Sequence, residues 1–201
     1  YLDNGRVHIG DLDGLTRAVF DSWKADRADG KDAIMLAPTR ELVAQLNEKA
    51  RAHRLDGQRP GREVALADGN RASAGDTIIT RLNDRRLRVS RTDWVKNGDR
   101  WTVLKIAANG RLTAQHNTHR RIVSLPADYV AESTELGYAT TVHGAQGVTA
   151  DSMHGLATGS ESRQQLYTMV TRGRAANHIY LAVVGDGDPH SLVDPDTVIP
   201  P

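Results

Sequence analysis

There is no cysteine in this 201-residue sequence, which excludes disulfides and thiolate metal sites and fits a cytoplasmic setting. Aromatic residues make up only 4%, so the core has to be built from aliphatic side chains. No apolar run approaches the ~18 residues of a membrane span and no secretory leader pattern opens the chain, so no membrane partner is expected. The phosphate-cradling pattern Gly-x-x-x-x-Gly-Lys-Ser/Thr is also missing. Its nearest approach is Gly30-Lys31, with Ala25 in place of the first glycine and Asp32 in place of the hydroxyl. His116 and His119 have a spacing that two metal ligands use, but no third ligand accompanies them, so no metal site is expected.

What is present is a globular composition, 39% hydrophobic and 25% charged, long enough for one large or two small domains. The net charge of +1 hides a segregation: residues 81 to 121 carry 11 Lys/Arg against 3 Asp/Glu, and residues 122 to 201 carry 3 against 9. The middle is therefore basic and the tail acidic. A block of that kind is either a surface that meets phosphates or a solvated charged face. Because the chain opens on Tyr1 and ends in Pro200-Pro201, it is expected to be a piece of a longer protein.

Residues 11 to 28 read as an amphipathic helix, with Leu12, Leu15, Val19 and Trp23 at helical spacing and Gly30 as its stop. Ala33-Ile-Met-Leu-Ala37 is a short apolar run typical of a buried parallel strand. Thr39 can cap a following helix to about Leu55, with Leu42, Val43, Leu46 and Ala50 inward. This βα unit puts Arg40 where open α/β sheets bind ligands, although an exposed first-turn arginine is an equal alternative.

Residues 57 to 75 read as a connector, with one strand at most at Val64 to Ala67. Short strands are then expected over 76–82, 100–107, 111–115 and 121–125, with turns at Asn97-Gly98 and Asn109-Gly110, which together suggest a small barrel. It coincides with the basic block, including Arg81, Arg85, Arg86, Arg88, Arg91, Lys96, Arg100, Lys105 and Arg111. Cations beside an aromatic platform suit sequence-blind single-strand binding. Trp101 is expected in the barrel core and Trp94 as the stacking candidate.

The most informative stretch is Leu136-Gly-Tyr-Ala-Thr-Thr-Val-His-Gly-Ala-Gln-Gly147, followed by Leu166-Tyr-Thr-Met-Val-Thr-Arg-Gly-Arg174 and the apolar run His178 to Val184. The first delivers Thr140, Thr141, His143 and Gln146 to a surface that small residues leave open to close approach. The second reads as a helix with Leu166, Met169 and Val170 on one face and Arg172 and Arg174 together at its end.

In order and spacing these two segments resemble motifs V and VI of superfamily 1 DNA helicases of the RecD-like branch, and Thr171-Arg-Gly-Arg-Ala-Ala-Asn-His178 is most similar to the helicase part of TraA/TrwC-type conjugative relaxases. Ala37-Pro-Thr-Arg-Glu-Leu-Val-Ala-Gln-Leu-Asn47 resembles the motif IV region of the same family. The resemblance implies an α/β fold: the second RecA-like parallel sheet domain (1–75 and 126–201) with a small Src-homology-3-like β-barrel inserted between (76–125). It implies a motor that uses ATP and Mg²⁺, both held mainly by a first RecA-like domain of the same polypeptide, to move along single-stranded DNA, with a relaxase domain as a further partner. Arg172 would be the catalytic arginine that reaches the γ-phosphate. Arg40, Gln146, Gly147 and Arg174 would lie near the nucleotide, and Thr140, Thr141 and His143 on the DNA backbone, with Arg85, Arg86, Arg88 and Trp94 adding contacts from the barrel.

Other readings of the same residues stay open. Arg172 could serve the end of its own helix, Arg174 a structural ion pair, and His143 a turn. The chain as a whole could be a non-catalytic single-strand-binding module that keeps the helicase shape. On either reading the isolated fragment is not an ATPase.

Overall fold

The computed structural model describes residues 5–183, so Val184, the last residue of the apolar run that begins at His178, lies outside the described residues. The N-terminal strand β1 (Val7–Gly10) leads into α1 (Leu12–Ala28), capped by the Asp11 carboxylate on the Gly14 amide. Leu15, Val19, Phe20 and Trp23 form its buried stripe, while Leu12 is 40% exposed. Strand β2 (Ala33–Ala37) is buried along its whole length, and α2 (Arg40–Leu55) follows with Thr39 as its cap.

The burial of β2 on both faces explains why its sequence is a continuous apolar run. Ala33, Met35 and Ala37 pack in one cluster with α1, while Ile34 and Leu36 pack in a second with Met153, Met169 and Ile179. The Ile, Leu and Met side chains among these contribute about 1.5–3 kcal/mol each when fully buried.

Between α2 and the rest of the parallel sheet the chain makes β3 (Glu63–Ala65), β4 (Arg71–Ser73), β5 (Thr77–Thr80), β6 (Asp84–Arg88), β7 (Trp94–Val95), β8 (Arg100–Ile106), β9 (Leu112–His116) and β10 (Ile122–Leu125). After α3 (Ala127–Ser133) come β11 (Thr134–Leu136), β12 (Ala139–Thr141), a 3-10 turn (His143–Ala145), β13 (Ala150–Ala157), α4 (Arg163–Met169) and β14 (Gly173–Ala182). The parallel sheet runs β1-β14-β13-β2-β12, and a five-stranded antiparallel sheet runs β10-β9-β8-β5-β11.

The architecture is thus a RecA-like parallel sheet with a small antiparallel barrel set into it. Two hairpins, β3–β4 and β6–β7, stand where the sequence suggests a connector with one possible strand at Val64 to Ala67 and, over residues 83–99, no strand. Their strands are too short and too polar to show a period of two. The basic block divides as well. Arg100 is only 3% exposed and serves the interior, while Arg81 is half-buried and paired with Glu135. Trp101 is fully buried, as its place in the barrel suggests.

Two polar networks lock the barrel to the parallel sheet. Asp76, fully buried, accepts from Arg51 Nε (3.1 Å), Arg54 Nε (2.6 Å), the Ser73 amide (2.7 Å) and Tyr138 OH (2.7 Å). Burial alone would raise this carboxyl, but the bonds from Tyr138, Ser73, Arg54 and Arg51 hold it below the usual range. In the second network, Arg100 reaches Asp32 (3.1 Å) and the carbonyls of Ala33 and Gly137. No described helix is long and apolar enough to cross a membrane.

Candidate functional site

Strands β2 and β12 are parallel neighbours, with Thr140 beside Leu36 and Thr141 beside Ala37. Their C-terminal ends therefore open on the same edge, where α2 begins and where open α/β sheets take their ligands. Asn47 of α2 fixes β12 by a two-way bond to Ala139, donating to its carbonyl (3.1 Å) and accepting from its amide (2.8 Å).

A cleft of about 710 Å³ lies at this edge, and its walls include Arg40, Asn47, Arg81, Asn97, Glu135, Thr140, Thr141, His143 and Gln146. Residues of the parallel-sheet layer and of the barrel thus share one cavity. His143 and Gln146 are exposed, Thr141 is half-buried, and Thr140 is 1% exposed. Its hydroxyl is already engaged, accepting from Arg81 Nη2 at 2.6 Å.

Arg81 organises this corner. Its guanidinium also pairs with Glu135 (2.6 Å) and donates to the Gly144 carbonyl (2.9 Å). A Cβ at residue 144 would come within 2.7 Å of the Thr140 hydroxyl, so glycine is needed for this closeness. The barrel turn at Asn97-Gly98 presses on the same loop: a Cβ at 98 would lie 3.2 Å from the Gln146 carbonyl. The cleft roles of Arg81, Glu135, Asn47 and Gly98 have no signal in the sequence. No local pattern marks them, because each acts on a segment far away in the chain.

Arg172 follows α4 rather than ending it. The chain turns after Met169, and the guanidinium reaches the carbonyls of Thr168 (3.2 Å), Ala145 (3.3 Å) and Val148 (3.3 Å), and Thr171 Oγ1 (3.0 Å). The last two of these carbonyls flank Gln146 and Gly147, so Arg172 sits behind the loop whose other side lines the cleft. None of its partners is ionised, and its positive charge has no carboxylate counterpart among the described residues.

Arg174 is placed differently. It lies in β14, not on the helix, and pairs with Asp151 at 2.7 Å. Asp151 in turn accepts from the Asp32 amide (2.9 Å), and so a polar chain runs from Arg174 through Asp151 and Asp32 to Arg100 of the barrel. Arg40 is exposed, at the first turn of α2, and shares the cleft with Thr140 and Thr141 rather than neighbouring Arg172.

Arg85, Arg86, Arg88 and Trp94 lie together on the β6–β7 hairpin, outside the cleft walls. Arg86 pairs with Asp84 (2.9 Å), and Arg88 donates to the Arg91 carbonyl (3.0 Å). Arg85 and Lys96 lie over the Trp94 ring at 5.0 and 5.5 Å, and a base stacking there would have to displace a cation. His116 and His119 stack at 3.7 Å against Trp101; among the described residues no group of three or more His, Asp or Glu is placed to hold a metal ion.

Comparison with known proteins agrees with this geometry. Residues 64–135 match the Rv2311 SH3-like barrel domain family. The uncharacterized protein Rv2311 of Mycobacterium tuberculosis is 36% identical over 98 residues, 47% of this chain and 56% of that protein. A probable conjugal transfer protein TraA of Sinorhizobium fredii is 33% identical over 186 residues, which cover 90% of this chain. Another TraA, from Agrobacterium fabrum, is 32% identical over 190 residues. The chain spans 16% of the length of either TraA. Among solved structures, a Bacteroides Pif1 helicase in complex with ADP-AlF3 and ssDNA superimposes with a TM-score of 0.52 at 15% identity, over 86% of this chain and 50% of that one. A second Bacteroides Pif1 structure, bound to ssDNA, gives a TM-score of 0.53. At 33% identity over 90% of its length this chain belongs to the family of the TraA conjugal transfer proteins, and its fold, with an SH3-like barrel over residues 64–135, is shared with the Pif1 helicase structures.

Proposed function

We propose that this chain is the second half of an ATP-driven motor that moves along single-stranded DNA inside a conjugal transfer protein. The observation that carries the reading is the shared loop at residues 143–148. One side of it lines the cleft with Thr140, Thr141 and Arg40, and the other side accepts hydrogen bonds from a guanidinium without a carboxylate partner among the described residues, that of Arg172. A phosphate bound on one side and a strand bound on the other would act on the same few peptide units.

In this reading the hydroxyl of Thr141, the imidazole of His143 and the Arg40 guanidinium hold the strand by its phosphates, which needs no reading of bases. Arg172 and Gly147 face the nucleotide, and Gln146, on the cleft wall, couples it to the strand. ATP with Mg²⁺ supplies phosphoryl-transfer chemistry when bound. Its cradle and metal carboxylates belong to a first RecA-like domain of the parent protein. Arg172 contributes fixed positive charge where charge develops on the phosphate oxygens, an effect worth about 10³ to 10⁵ in turnover in other phosphoryl-transfer systems. Arg174, already neutralised by Asp151, orients the strand that follows Arg172. A relaxase domain in the same polypeptide and a cytoplasmic setting belong to the same reading.

The test is ATP hydrolysis by the full-length parent protein, with and without oligothymidylate, for wild type and Arg172→Ala. Strong DNA stimulation that disappears in the variant supports the motor. Hydrolysis that ignores both DNA and Arg172 instead favours a binding module that kept the helicase shape.

A further inference from the structure

The cleft occupies the N-terminal end of α2. At the opposite end of this 16-residue helix, about 24 Å away, the chain turns through Asp56 (φ 46°) and runs as residues 58–62 against β8. Loop and strand enclose a second cavity of about 370 Å³. Arg54, Arg59, Arg62 and Lys105 line it, and no carboxylate does.

The four cations are not equivalent. Arg54 is committed to Asp76, Ser73 and the Ala74 carbonyl, and forms the back wall. Arg62 donates only to the Ile106 carbonyl, at 3.4 Å, which holds the loop on the barrel and leaves its charge uncompensated among the described residues. The side chains of Arg59 and Lys105 are exposed and make no hydrogen bond or ion pair among the described residues. The acid behind them, Asp76, is fully buried and already used by five donors.

Cations gathered in a concavity repel one another unless an anion joins them, and a low-dielectric wall strengthens both effects. Guanidinium groups favour oxygen-rich anions that accept parallel bonds, phosphate above all. Leu55 and the 43%-exposed Leu104 complete the wall with apolar surface. A bare phosphate ion has no use for that surface, whereas the sugar beside a phosphodiester does.

We infer that Arg59, Arg62 and Lys105 form a second phosphate-binding site, separate from the cleft, that takes the sugar-phosphate backbone of nucleic acid. The site's phosphate chemistry stands on its own residues; its assignment to nucleic acid shares the premise of the motor reading. A strand or duplex arm held here would touch the protein at both ends of α2, on the motor side and on the barrel side.

Two measurements on the 201-residue chain test this. Amide shifts are followed by NMR during titration with oligothymidylate and, separately, with inorganic phosphate. Affinity for the oligonucleotide is then measured against salt for wild type and the double variant Arg59→Gln/Lys105→Gln, whose exposed, unpartnered side chains are dispensable for folding. Amides of 58–62 and 104–106 are expected to shift with the oligonucleotide. The slope of log K against log salt is expected to shrink by about 1.4 in the variant, at about 0.7 per lost phosphate contact. Movement of 58–62 without movement of 141–146 would sink the motor reading of the cleft and leave this site standing. Shifts with inorganic phosphate alone would overturn the nucleic-acid assignment in favour of a free phosphate ligand. No shift with either, and an unchanged slope, would overturn the site altogether.

Discussion

Arg100 of the barrel and Asp32 at the head of β2 meet in the interior at 3.1 Å, with Arg100 only 3% exposed. Burial pulls the Arg100 guanidinium below its ordinary pKa, and the adjacent Asp32 opposes that pull. Asn117 Nδ2 donates to the same carboxylate at 3.1 Å, so β2, β8 and the turn after β9 converge on one acid. The pair is a clasp between two layers.

Removing one partner leaves the other charge buried, which typically costs about 3–5 kcal/mol. Arg100→Met is expected at the lower end of that range, because Arg27 also approaches Asp32, at 3.5 Å. Urea unfolding measures it. The double variant Arg100→Met/Asp32→Asn should recover part of the loss, and a double variant weaker than the single one would contradict the clasp.

Acid should loosen the sheet edge that carries β1 and β14. His154 and His178 stack at 5.2 Å; His8 stacks on Tyr180 at 4.5 Å, and Asp26 of α1 bonds His154 Nε2 at 2.8 Å. Burial lowers both His154 and His178; Asp26 opposes this at His154, and His8 adds to it at His178. A histidine with a depressed folded pKa binds fewer protons folded than unfolded. Its contribution is therefore complete above its unfolded value of about 6.5 and is lost as pH falls toward the folded one. The urea midpoint should drop between pH 7 and 5, and less steeply in His154→Gln/His178→Gln.

Asp26 acts lower on the scale. Burial would raise it, but bonds from Lys31, Ser152 and His154 outweigh that and hold it at about 2. Its contribution persists above about pH 4 and fades as pH falls toward 2. Asp26→Asn should remove that acid limb of the stability profile; an unchanged profile would show that other carboxylates govern it.

Gly137 lies where the chain passes from the barrel back to β12. A Cβ there would sit 2.7 Å from the Ile78 carbonyl carbon, a backbone atom that cannot swing away. Gly137→Ala is expected to cost about 1–3 kcal/mol by overpacking, read as a lower melting temperature. Full stability in that variant would mean that the two layers can separate at this point.

Arg81→Gln should free the 142–147 loop by removing the bonds to Thr140 and Gly144. The expected result is faster amide hydrogen exchange at Gly144 and weaker oligothymidylate binding, with little change in global stability. Exchange that stays slow would place the loop's restraint elsewhere, at Asn97-Gly98.

The sequence by itself determined the elements whose cause is local. The apolar run of β2, the Thr39 cap and, apart from Leu12, the stripe of α1 appear where their patterns place them, because each depends on neighbours within a few residues. It also brought Thr141, His143 and Gln146 to one surface, whereas the place of Arg172 behind their loop comes from carbonyls 27 and 24 residues earlier in the chain. Only the tertiary structure decided which basic residues face solvent. Arg100 and Arg81 look like members of one charged run, yet one is sealed against Asp32 and the other is bound to Glu135, 54 residues along the chain. Likewise Arg174 reads as the twin of Arg172 until Asp151, 23 residues earlier, neutralises it. A charge carries no mark of its counter-ion in the residues beside it; the partner is chosen by strand pairing, and strand pairing joins segments that the sequence keeps far apart.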